Sequence, residues 1–378
     1  MLAHHSWTVI LNLEIPNTLH KTKTGMIPRR YIPIDVLRGL AIFAMIQSHL
    51  WGIFIIVSSP FSRVFEIAFV KPLGGFAAPL FILVSGLSTG IASAKWPANR
   101  NPISPWRVRT GLFKKGLLLF LLSSAINVIG NLFIAEVGWL NWSVFQLVGV
   151  CQMIVALIAT TSFWIYFILA GLILSVSSLA TASHPASQAI FPFLYHGFVP
   201  FLPWSALFFT GMALKDLCMI SMNQHDKKSL GILSCAGISI IALAGVLDWL
   251  GIPFNHWDKT LGMNLTSYCV YLGVFLLFFP ALVYLFEARD YQPGIARGLV
   301  LLGQHALTVY YAQWFILIGL GYVFRHYWKT STLMPFYTYI PILCGLMVAM
   351  FWLLVRWARN GYKYSIEWLI RELAYEKT

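Results

Sequence analysis

Three ionisable residues stand in one apolar stretch: Asp35, Arg38 and His49, within a run that opens Pro33-Ile34-Asp35-Val36-Leu37-Arg38-Gly39-Leu40-Ala41. On a helix, Asp35 and Arg38 are three residues apart and share a face, so they can pair. At about 100° per residue, His49 returns to within about 20° of that face, about 16 Å further along. Inside a membrane such groups cost roughly 2.5 to 3.5 kcal/mol each at the helix centre unless they are paired or hydrated, so they are the first place to look for chemistry. An arginine at the cytoplasmic mouth of a span can hold a phosphate or a thioester carbonyl, and an imidazole deeper in can take a proton from a hydroxyl or amine. A structural account stays open beside the chemical one. Asp35 and Arg38 could fix helix packing or snorkel to the interface, and His49 could be a satisfied core histidine.

A second polar set lies in Gly303-Gln304-His305-Ala306-Leu307-Thr308-Val309-Tyr310-Tyr311-Ala312-Gln313. His305 and Thr308 occupy adjoining helical positions, and interhelical hydrogen bonding is the alternative to a ligand contact for each. Glu66 and Asp248 are carboxylates at expected outer ends that could orient a histidine, or could simply be solvated. The five cysteines are widely spaced and form no CxxC pair, which predicts neither a disulfide framework nor a zinc site. The motifs of nucleotide hydrolysis, zinc proteolysis and serine hydrolysis are missing.

The elements that must position these groups follow from composition. Of 378 residues, 58% are hydrophobic and 10% charged, against about 25% charged in an ordinary soluble domain. The expected fold is all-α, a polytopic membrane bundle of about ten transmembrane helices, because about 20 apolar residues are needed per helical span. The apolar stretches are 33 to 57, 73 to 93, 116 to 135, 142 to 160, 163 to 182, 200 to 217, 230 to 250, 265 to 286, 298 to 323 and 336 to 356. The net charge of +13 would suggest nucleic acid in a soluble protein. Here no nucleic-acid motif accompanies it, and most Lys and Arg fall in alternate loops, which places both termini in the cytoplasm. The chain divides into a cytoplasmic tail over residues 1–30, a membrane domain over 31–358 and a cytoplasmic amphipathic helix over 359–378. In that helix Tyr362, Ile366, Leu369, Ile370 and Leu373 form an apolar stripe, while Lys363, Glu367, Arg371 and Glu372 fall elsewhere, which suits the inner membrane surface. A basic segment, 96–106, and a Pro-containing outer segment, 184–203, mark joints of the domain. The second could cover an outward-facing cavity.

The stretch from Arg30 to Ala41, followed by His49, resembles the first-span signature of the transmembrane acyltransferase superfamily. That group includes heparan-α-glucosaminide N-acetyltransferase-like proteins and polysaccharide acyltransferases. Phe76 to Gly86, Pro203-Trp204 to Gly211, and Gly303 to Gln313 agree in order and spacing. The resemblance implies a multi-pass enzyme of the cell (plasma) membrane that takes an acyl group, expected to be acetyl, from cytoplasmic acyl-CoA. The acceptor it implies is a hydroxyl or amine of an extracytoplasmic sugar or glycan. No metal and no bound cofactor is expected; acyl-CoA is a co-substrate. His49 would be the general base, Arg38 would bind the donor and Asp35 would hold Arg38. His305, Thr308, Gln313 and Trp204 would line the binding site. Direct transfer and an acyl-His49 intermediate both stay open, as do a monomer and a homodimer. Two other functions also remain: a transporter whose Asp-Arg-His groups form a pathway, and a non-catalytic membrane scaffold.

Overall fold

The computed structural model describes residues 31–94, 105–134, 142–158, 162–182, 194, 199–224, 227–252, 263–288, 294–326 and 334–374. The tail 1–30 and most of the segments 96–106 and 184–203 lie outside the described residues. Among those described, regular structure is helical apart from an isolated bridge between Ile55 and Met334. In chain order the helices are α1 (Ile32–Phe54), α2 (Pro60–Phe65), α3 (Lys71–Ala94), α4 (Pro105–Ile134), α5 (Val144–Ile158), α6 (Phe163–Ala182) and α7 (Phe201–Ala213). They continue as α8 (Lys215–Gln224), α9 (Lys227–Trp249), α10 (Leu265–Val283), α11 (Gly294–Gln304), α12 (Ala306–His326), α13 (Tyr339–Ala358) and α14 (Ile366–Ala374).

Seven helices among the described residues are long and apolar enough to cross a membrane, or eight if the bent pair α7 and α8 forms one span. Among the described residues two expected spans fall short of the test for crossing: α5 covers 15 residues, and the described apolar part of α6 is Phe163–Ser177. The second expected span begins earlier, because α2 and α3 run together through a π-helical turn, Glu66–Val70, into one apolar helix over Pro60–Ser93. The ninth is divided at His305 into α11 and α12. The protein is a helical membrane protein, with seven or eight candidate spans among the described residues where the sequence suggested about ten.

α1 is the axis of the bundle. In its apolar window 61% of residues are buried, against 22% in α9, where Ile232, Ile238 and Leu243 face outward as lipid-facing side chains do. Pro33 sits in the first turn of α1, where its missing N–H costs nothing, and Asp35 places a negative charge near the positive end of the helix dipole. α1 packs against α3 and α11; α3 in turn packs on α7, and α7 on α6. The crossing of α1 with α11 brings backbones together without side chains between them. A Cβ on Gly39 would strike the Leu299 carbonyl, and one on Gly303 would strike the Asp35 carbonyl. Such proximity lets neighbouring polar groups on α11 reach Asp35.

The C-terminal helix is shorter than the segment expected from the sequence, and one side of it is docked on the bundle. Helix α14 begins at Ile366, after a turn in which Gly361, Tyr362 and Tyr364 have positive φ angles of 60°, 53° and 66°. It packs against α4 and α12, burying Ile370 and Ala374 while Leu369 and Leu373 remain exposed. Glu367, read from the sequence as part of the polar face, is turned into the bundle.

Candidate active site

α1 carries its polar groups at two stations. At the N-terminal station, an Arg38 guanidinium nitrogen lies 3.6 Å from an Asp35 carboxylate oxygen. Gln304 Nε2 donates to the other oxygen at 3.5 Å. Asp35 is buried, whereas the Arg38 side chain is 28% exposed and open to a ligand on one side. Half-buried Lys115 of α4 lies within electrostatic reach of Arg38. The two cations beside the Asp35 carboxylate suit this end to an anionic ligand.

Just beyond, the divided span is held by a reciprocal cap. The Glu367 carboxylate accepts from the backbone N–H groups of Leu307 at 2.8 Å and Thr308 at 3.1 Å, the exposed donors of the first turn of α12. The Thr308 hydroxyl donates to the same carboxylate and accepts from the Ile366 N–H at 2.9 Å, at the start of α14. Each helix thus caps the other across about 60 residues of chain. Burial pushes the Glu367 carboxyl above its ordinary range, while the bonds from Thr308 and Leu307 pull it back. The His305 ring lies on that of Tyr362, centroids 3.9 Å apart, which fixes the turn where Tyr362 adopts its left-handed backbone.

The second station is His49, half-buried about three turns beyond Arg38. Gln313 Nε2 lies 3.3 Å from His49 Nδ1, and the Trp314 ring is tilted against the imidazole at 4.8 Å. Two residues earlier, buried Gln47 fixes the rotation of α1: its Nε2 donates to the Val70 carbonyl at 3.2 Å and its Oε1 accepts from the Tyr339 hydroxyl at 2.8 Å. Glu66 pairs with Lys71 at 3.5 Å and makes no bond to His49.

Of the residues expected to form the site, the fold joins Asp35 to Arg38 and Gln313 to His49. It engages both hydrogen-bonding roles of the Thr308 hydroxyl within the protein and stacks His305 on Tyr362. Trp204 stands apart, stacked over Tyr271 at 6.3 Å, with its buried Nε1 lacking a partner among the described residues. Sequence reasoning overlooked Gln304, Gln47, Lys115 and Glu367. Gln304 and Gln47 were visible as amides in apolar helices, the kind of group a membrane interior requires to be paired. All five cysteines are free, and no group of three His, Cys, Asp or Glu side chains able to hold a metal occurs among the described residues.

The fold and site define a polytopic membrane protein with charge and an imidazole aligned along its central span. Residues 30–246 match the family model for heparan-alpha-glucosaminide N-acetyltransferase, catalytic, and the chain belongs to that family. Membership makes it a membrane transferase of the N-acetyltransferase type. No curated protein matches the chain.

Proposed function

We propose that the protein transfers an acetyl group from acetyl-CoA, bound from the cytoplasm, to an amine or hydroxyl of a sugar presented on the far side of the membrane. The observation that carries this reading is the alignment on α1. Cationic Arg38 beside Lys115 meets the phosphates of the donor, and His49 follows on the same face about 16 Å away, where the thioester would reach. The family name points to a glucosaminide as acceptor class.

The chemistry asks little of the chain beyond position and one base. The acceptor nitrogen or oxygen attacks the thioester carbonyl as His49 takes its proton; the new C–N or C–O bond forms, the C–S bond breaks, and the thiolate leaves with CoA and is reprotonated. Asp35 holds Arg38 in place, and Gln304 holds Asp35. The test is radiolabelled acetyl-CoA turnover by the full chain in proteoliposomes, with glucosamine on the side opposite the donor. Label appearing in N-acetylglucosamine only with both present is the expected result. Release of acetate without sugar labelling, or no turnover with any amine or hydroxyl sugar, overturns the reading.

A further inference from the structure

Gln313 is the partner that the fold gives to His49, and it lies beyond residue 246, outside the stretch that matches the family model. Its side chain is wholly enclosed, its Nε2 is 3.3 Å from Nδ1, and its Oε1 has no partner among the described residues. The Trp314 ring restrains the imidazole plane. His49 itself is half-buried, and its Nε2 makes no hydrogen bond among the described residues.

A neutral imidazole carries one proton, and the group bonded to one nitrogen decides which nitrogen holds it. If the amide nitrogen of Gln313 donates to Nδ1, the proton sits on Nε2, and the free nitrogen can give a proton but cannot take one. A half-turn of the amide exchanges its oxygen and nitrogen without changing its shape. Oε1 then accepts from Nδ1–H, and Nε2 keeps its lone pair. Only this second arrangement serves a base. We propose that Gln313 is a positioning residue for acyl transfer, its amide oxygen holding the Nδ1–H of His49 so that Nε2 is free to take the proton of the acceptor. The inference rests on the role of His49 as base. An unconstrained imidazole favours the proton on Nε2, so the useful tautomer is one that the fold must impose.

Solid-state NMR of the full chain in bilayers, with labelled histidine and the His49 signals assigned by difference against His49→Asn, reads the tautomer directly. The wild type is expected to carry the proton on Nδ1 near neutral pH, and Gln313→Leu to revert to Nε2. A wild-type proton on Nε2 overturns the proposal, whether or not the variant folds. Turnover with acetyl-CoA and glucosamine gives a second measure: Gln313→Leu is expected to lower kcat by at least about 10-fold, as a wrong tautomer does in other histidine bases, with KM for acetyl-CoA little changed. An unchanged kcat in a folded Gln313→Leu protein overturns it. An Nδ1 proton in a wild type that transfers no acetyl group leaves the hold of Gln313 on His49 standing and overturns the transfer chemistry instead.

Discussion

The two ends of α1 are furnished in opposite ways. At the N-terminal end the acid and the hydroxyl are each tied twice, Asp35 to Arg38 and Gln304 and Thr308 to Glu367 and Ile366, while His305 stacks on Tyr362. At the other end His49 has one amide and one ring, and the amide still has an unpartnered oxygen. A buried polar network fully bonded within the protein serves to hold shape, whereas one left open needs something from outside. On the proposed function, the first station supports, with half-buried Arg38 meeting the donor, and the second reacts.

The sharpest way to break this division is to remove the imidazole. His49→Ala is expected to lose 10²- to 10⁴-fold in acetyl transfer, on the order of a general base's contribution, while still binding acetyl-CoA. Turnover near the wild-type rate in the folded variant would end the assignment of reactivity to this end. Arg38→Lys comes next. An ammonium keeps the charge beside buried Asp35 but loses the planar fork, so acetyl-CoA should bind about 10-fold more weakly, measured by calorimetry in detergent. Arg38→Ala is the poorer probe, since it strands a buried carboxylate.

These effects concern residues whose alignment was legible. The arithmetic of 3.6 residues per turn put Asp35, Arg38 and His49 on one face, and α1 is an unbroken helix over that stretch. Their partners were not legible, because a pairing across more than 260 residues leaves no periodic trace. Glu367 shows the limit. Helical periodicity placed it among solvated residues, yet the unpaired N–H groups of α12 draw its carboxylate inward, a demand that exists only once the ninth expected span is divided. The span count differs because α5, apolar enough to cross, covers only 15 described residues, fewer than the length a span needs.

Smaller effects sharpen the supporting end. Gly303→Ala pushes a methyl into the Asp35 carbonyl and should destabilise the protein by about 1–3 kcal/mol in a thermal melt, with the donor end disturbed more than the histidine end. Thr308→Val removes half of the reciprocal cap and should cost roughly 0.5–2 kcal/mol, read as faster hydrogen exchange in α14. The smallest effect is on pH. Burial holds the Glu367 carboxyl above the ordinary glutamate range, so the docked state binds its proton more tightly than the undocked one. Docking of α14 should be firmest below the ordinary glutamate range and weaken as pH rises through the raised value of the docked carboxyl. Exchange protection of α14 that instead grows over that rise would contradict this sign.

The long separation between α1 and its partners also sets a schedule for biogenesis. The segment bearing Asp35, Arg38 and His49 leaves the ribosome well before the residues that satisfy it, with Gln304 following Asp35 by 269 positions and Gln313 following His49 by 264. At about 5–20 residues per second this leaves the first span in the membrane for roughly 10 to 50 s with its polar face unmatched. During that interval water, lipid headgroups or an insertion factor must shelter the three side chains, and residues made later still, Glu367 among them, complete the enclosure.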